Sequence, residues 1–482
     1  MQIAFLRSAY FLVLGVLFLA QTAQAQKIKS APFKHIQEES GSLYFQPVPH
    51  KAFRISDTDF LILSQRSAQE YALERYGSDL KVKWSVTISL FNQETLESFS
   101  QNGQTALLIT HRALAEQGSQ ALYGKLIDLA TGKELQQKKL VEAPSRSRRL
   151  SVTLSDDGSK LATLHSVTRN QELRSIQATI YDGSLIKLKE RTYDFATAGQ
   201  QVAAQVQIDN HGNQFVSILT ENSMRLSVRR YNNRDNDIKV MEVMLGGVFS
   251  GEKMYVVDTK FQLHQDSSLY AAVLVAEEKT GEYRSLKMVR FDYKANDMRF
   301  AEEFKFSPDF TQQLLKSTGA KRLEDIYLSK ILISNEGQSL VITEKKYTEG
   351  GENSPFHAQE LLLFAYNEYL QPTWNSIILK NQVASASEGF ASISYSSRLF
   401  SNRLQLLTFE KIDGKTDLYH RSIHLLTGGS EPPKPIGLHL ASGKQNAYIK
   451  DFTTWLDERT IITVARPAKG TSDLRLHRII LK

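Results

Sequence analysis

Eight times along its 482 residues the chain repeats one short figure: an extended run, a tight polar turn and a second, continuously apolar run. Val152 to His165, VTLSDDGSKLATLH, shows it in full. Asp157-Gly158 is a strong hairpin signal, because glycine takes φ > 0 without steric cost and Asp tolerates it. The other copies begin at Phe53, Ser98, Val206, Phe261, Ile331, Ser394 and Phe452. With Thr58, Gly103, Gly158, Gly212, Ser267, Gly337, Asn402 and Arg459 as equivalent turn positions, successive copies stand 45 to 70 residues apart. Repetition at that period means one supersecondary unit per repeat.

The second run of each copy is apolar on both sides, as in Ala106-Leu107-Leu108-Ile109 and Ile461-Ile462-Thr463-Val464. A strand with one wet face would alternate, so these strands are expected to be buried on both faces. A more polar pair of strands follows each hairpin; LYGKLIDL and ELQQKKLV, joined by Ala130-Thr131-Gly132-Lys133, are one pair. Four strands per unit and a doubly buried inner strand predict an all-β fold, a β-propeller of four-stranded antiparallel blades. Eight blades follow if every copy is a blade, and seven if Phe53 to Gln65 is not a true hairpin. The last copy ends at DLRLHRIILK, one outer strand short. Ser42 to Val48, SLYFQPV, is expected to supply that strand and close the ring against Leu474 to Leu481.

Turns such as Ser155-Asp156-Asp157-Gly158 and Ser334-Asn335-Glu336-Gly337 resemble the WD-like repeats of Tol-translocation-type propellers. The resemblance covers nearly all of the chain after the N-terminal segment. The Trp-Asp dipeptide of true WD repeats is absent. Asp128-Leu129-Ala130-Thr131-Gly132-Lys133 is similar to the repeat of quinoprotein-dehydrogenase-like propellers, but Gln136 stands where that repeat has Trp.

Met1 to Ala25 reads as a secretory signal peptide: Arg7, an apolar run from Ala9 to Ala20, and the small-x-small site Ala23-Gln24-Ala25. Residues 26–482 are then one propeller domain, periplasmic or secreted, in a chain of bacterial style. No later run is long and apolar enough to span a bilayer. Cysteine is absent, which excludes a disulfide framework, a thiolate metal site and a Cys nucleophile. The formal charge of +7 is weak for this length and makes no case for nucleic acid.

No zinc-protease, phosphate-loop or nucleophile-elbow motif is present. Asn233-Arg234-Asp235-Asn236-Asp237 spaces oxygens like a calcium loop, yet Ile238 stands where glycine is needed, so it reads as a polar turn. No metal and no cofactor are expected. Arg146, Arg148 and Arg149 form the densest basic run, suited to an anionic polymer such as lipopolysaccharide or a phosphorylated glycan, although such a run is more often a solvated loop. Phe306 to Lys330 inserts before the sixth hairpin, with Ser307-Pro308-Asp309 as a helix start. Lys345 to His357 inserts within the sixth repeat. With blade strands lettered A to D from axis to rim, D–A and B–C connections share one face of the ring, so both insertions belong to it. Long loops on a rigid scaffold are where recognition sits. Arg146, Arg148, Arg149, Phe310, Lys346, Tyr347 and Phe356 are therefore the binding candidates, and no catalytic residue is legible. The reading is a binding or scaffold module for a protein or an envelope polysaccharide. The alternative is a glycan-active lyase or hydrolase working at the axis.

Overall fold

The computed structural model describes residues 26–36, 48–196, 203–220, 224–249, 252–265, 267–318, 323–351, 353–441, 447–468 and 473–481. Met1 to Ala25, the segment expected to be a leader, lies outside them. Among the described residues the strands form eight antiparallel sheets, one per blade. The A strands are Ala52–Arg54, Glu94–Gln101, Ser151–Leu154, Ala203–Ile208, Glu252–His264, Ile326–Ile333, Tyr395–Phe400 and Tyr448–Trp455, numbered here as blades 1 to 8. Every hairpin read from the sequence is the A–B pair of one blade. Around the axis the A strands of blades 2 and 3, 3 and 4, 5 and 6, 7 and 8, and 8 and 1 touch one another. The turn at Ser155 closes as its residues dictate: Gly158 N donates to Ser155 O at 3.0 Å, and Asp157 Oδ1 accepts from Ser159 N at 2.8 Å.

The core lies between blades rather than within one. Leu108 and Ala106 pack with Leu61, Leu63 and Leu73 of blade 1. Their strand neighbours Leu107 and Ile109 pack the other way, with Leu161 and Tyr181 of blade 3. Alternate side chains of one B strand thus serve two interfaces, which is why the run is apolar throughout. Outer strands have one wet face; Val82–Ser89 in blade 1 is mostly exposed or half-buried. Blade 7 is the thinnest, with an outer strand of only Lys434–Pro435.

Adjacent rims are also locked. The outer-strand Trp84 of blade 1 donates from Nε1 to Leu129 O at 3.0 Å. Its ring lies so close to Gly132 in the blade 2 turn that a Cβ there would stand 2.7 Å from it. Trp374 of blade 6 docks likewise on Gly428 of blade 7, with Nε1 to Leu425 O at 2.7 Å. Trp84 and Trp374 stand in their own outer strands at the register position that Gln136 takes in blade 2.

The ring is closed by its two ends, through a different N-terminal segment from the one expected. Lys27–Pro32 pairs antiparallel with Arg475–Ile480, six residues in register. Residues 42–47 of the segment first assigned to this role lie outside the described residues. Val48 is buried with blades 1 and 2, not beside the C-terminal strand. An outer strand needs one apolar face and one polar face. Lys27-Ile28-Lys29-Ser30-Ala31 offers both, with Ile28 packed beside Ile479 and Leu481.

The sixth insertion holds the helix Pro308–Thr318, with Ser307 Oγ accepting from Phe310 N at 3.2 Å as N-cap. Both insertions are shorter than expected. Strand A of blade 6 starts at Ile326, because Ile326 and Leu328 alternate into the core, so Lys330 is a strand residue. The blade 6 B and C strands, Ser339–Thr348 and Phe356–Tyr366, run on into both ends of the second insertion and leave 349–355 between them. Among the described residues no helix is long and apolar enough to cross a membrane.

Candidate functional site

Three of the sequence-derived candidates meet on one hairpin. Tyr347 pairs across the ladder with His357, and Thr348 with Phe356. The Tyr347 and His357 rings stack at 4.5 Å. Phe356 meets Phe390 edge-on at 5.0 Å, and the short strand Gln382–Ala384 pairs beside it. This hairpin is therefore a braced projection rather than a loose loop. Phe310 does not join it. Its ring lies 5.1 Å from Phe304 and 6.0 Å from Phe306, in the core between blades 5 and 6. Arg146, Arg148 and Arg149 are exposed on the connection between blades 2 and 3, on the far side of the ring. Arg148 Nη2 donates to Gln171 O at 2.9 Å, and Arg149 reaches Thr95 Oγ1 at 2.7 Å and the Glu97 carboxylate.

The base of the hairpin reaches the axis. Glu344 is fully buried there. Lys346 Nζ and Lys380 Nζ each stand 2.8 Å from its carboxylate, and Ser394 Oγ donates to it at 2.7 Å. Burial pushes the Glu344 pKa up, but the two lysines together overcome that and hold it down to about 2.

Above this triad a cavity of about 560 Å³ opens on the axis, walled by the A strands of blades 5 to 8 and the entry to blade 1. Among the described residues its lining holds Lys260, Lys330, Lys346, Arg398 and Lys450, together with His50, and no carboxylate. Enclosure, then the charges of Lys450 and Lys260, pull the Lys330 pKa down to about 8. Lys450 is lowered too, by burial first. Enclosure and then Lys330 and Lys450 hold His50 down to about 4, so its ring is neutral at pH 7. Lys330 Nζ donates to Ser397 Oγ at 3.2 Å.

Irregular strands aim these side chains. Ser329 is an extra residue between Leu328 and Lys330, and the blade 8 ladder breaks between Ile449 and Thr454, across Lys450. Bulges of this kind redirect side chains. No motif marked these lysines in the sequence, but register did: Lys51, Lys260 and Lys330 stand seven residues before Thr58, Ser267 and Gly337. Lys51 is the exception, buried with its ammonium 6.0 Å from the Phe452 ring.

Among the described residues no cluster of His, Asp and Glu could hold a metal. The calcium-like run is a polar turn, with Asp235 Oδ1 accepting from Asp237 N at 2.8 Å. The site can hold charge and donate hydrogen bonds; its lining offers no carboxylate pair for acid–base work.

What fold and cavity define is an eight-bladed β-propeller with a cationic axis. No protein-family model matches the chain, and no curated protein does. Solved structures are similar to it at low identity. The WD40 domain of SCAP from fission yeast is 9% identical, covers 94% of this chain and 98% of its own, and has a TM-score of 0.40. A prolyl endopeptidase is 10% identical over 93% of this chain and 55% of its own, with a TM-score of 0.41. The β-propeller domain of the Trilobed protease from Pyrococcus furiosus is 13% identical over 85% and 98%, with a TM-score of 0.35.

Proposed function

We propose that this chain is a binding or scaffold propeller of the periplasm or the exterior, with a protein partner seated over the blade 6 hairpin. The compartment rests on the leader-like Met1 to Ala25. The observation that carries the binding role is the braced hairpin, which holds Tyr347 half-exposed on one face, level with the exposed Val383, and Phe356 half-exposed on the other. Half-exposed aromatics on a rigid support are typical interface anchors, because little side-chain entropy is lost when they are covered. The hydrolase alternative fares worse: a glycosidase of the usual kind flanks the scissile bond with two carboxyl groups, and the cavity lining has none.

A photo-crosslinker placed at Glu349, at the hairpin tip, is expected to trap a partner in the native envelope. One at Asp157, in an A–B turn on the opposite face, should not. The Glu349 adduct should weaken in Tyr347→Ala and Phe356→Ala. Adducts from Asp157 alone would put the partner on the other face. Adducts with polysaccharide instead of protein would change the partner class, and unsaturated products from an acidic glycan would replace the binding reading with a lyase.

A further inference from the structure

The geometry points to a second, separate site: the axial cavity binds a phosphate-bearing polyol, its phosphate held by Lys260, Lys330 and Lys450. Three lines of reasoning meet there. The first is crowded positive charge. Lys346 and Lys380 share the single carboxylate of Glu344. Lys260, Lys330 and Lys450 line the same small space and form no ion pair among the described residues; Glu344 and Asp451 act on Lys330 and Lys450 only from outside that lining. Like charges brought together away from bulk water repel, and a bound anion relieves that repulsion.

The second is the type of cation. The planar fork of arginine favours flat, two-point contact with an anion, whereas lysine offers a compact point charge with three rotatable donors, which suits the three equivalent oxygens of a phosphate monoester as well as a carboxylate. The one arginine of the lining, Arg398, lies in the field of Arg54 and Asp156 instead of within the lysine group. The third is size and company. A cavity of about 560 Å³ suits a small molecule or a chain end. Hydroxyl groups, among them Ser397 and Thr454, line it beside the lysines and match a polyol rather than an apolar ligand.

The phosphate monoester can come from a free metabolite or from the phosphorylated end of an envelope glycan. Calorimetric titration with glycerol phosphate and with a terminally phosphorylated oligosaccharide separates these sources by which binds more tightly. Inorganic sulfate, citrate and glycerol serve as controls. We expect saturable binding of a phosphate monoester, weakened about tenfold or more by Lys330→Met or Lys450→Met.

Binding near pH 8 should also take up about half a proton, since about half of Lys330 is neutral there and a nearby dianion draws its proton back. The groups facing it are Lys450, Lys260, Lys346, Glu344 and the neutral His50. Uptake should fall in Lys330→Met. Without ligand, Lys330→Met should melt no lower than the wild type, because it removes a crowded charge. Wild-type affinity in both Met variants, citrate or sulfate binding as tightly as the monoester, or no saturable binding at millimolar ligand would each overturn the assignment. So would collapse of the fold in both variants, which would make the lysines structural.

Discussion

Without Lys27–Pro32 and Phe33, the protein is expected to open along one seam and self-associate. The six-residue pairing with Arg475–Ile480 would be lost, leaving an unpaired row of N–H and C=O groups at the blade 8 rim. Phe33, whose N donates to Leu474 O at 3.0 Å, is buried between blades 8 and 1 and meets Phe452 edge-on at 5.2 Å. Its loss alone should cost about 3–5 kcal/mol. The deletion should therefore broaden in size-exclusion chromatography with light scattering and melt well below the full chain. A monodisperse deletion with an unchanged melting temperature would show that the ring does not need this strand.

Acid should loosen the same seam. Ser30 Oγ lies 2.8 Å from His477 Nδ1, and His35 Nδ1 accepts from Gln65 N at 3.2 Å. Burial is the main cause that lowers His477 to about 4 and His35 to about 3, from an ordinary 6.5. A lowered folded pKa means that the open form binds protons first. The seam keeps its full stability above pH 6.5 and loses it progressively as the pH falls towards 4 and then 3. His477→Gln should flatten this part of the melting-temperature profile.

The ring was legible because its signals are local. Asp157-Gly158 states a turn, and the adjacent Leu107 and Leu108 state a strand with no wet face. Counting such pairs points to eight blades, with only the Phe53 to Gln65 pair leaving seven open until the ring shows it as the blade 1 hairpin. The closing strand was misplaced because Leu43, Tyr44 and Phe45 have the stronger β propensity. The vacant position, however, was an outer one, where Lys27-Ile28-Lys29 fits better. Propensity in strands mostly reports fit to a half-buried surface, and here burial decided. The axial cavity is a different matter. Lys260, Lys330 and Lys450 come from three blades and form no local motif; only ring closure brings them together. Bulges at Ser329 and through the blade 8 A strand then set their aim, and nothing in the local sequence announces those.

The joint between hairpin and axis should be the most sensitive single position. Glu344→Gln removes the carboxylate that Lys346 and Lys380 share, while leaving the shape nearly intact. The Lys380 side chain is fully buried and would then lose its ion pair, keeping only the hydrogen bond to Gln382 Oε1 at 2.9 Å and the weaker pull of Glu410. Breaking one side of a buried pair in this way costs about 3–5 kcal/mol, because a buried charge remains without its ion-pair partner. Chemical denaturation should show a loss of that order. Glu344→Gln combined with Lys380→Met should recover most of it, since the stranded charge is gone; a double variant no better than the single would mean the carboxylate matters for its hydrogen bond from Ser394 rather than for charge. The pH dependence has its own window. With a folded pKa near 2 against an ordinary 4.5, the Glu344 contribution is present above pH 4.5 and lost as the pH falls towards 2, below the onset of seam loosening. The same substitution frees Lys346 to face the cavity. The single variant should therefore be less stable yet bind glycerol phosphate more tightly, an opposition that a general loss of structure would not produce.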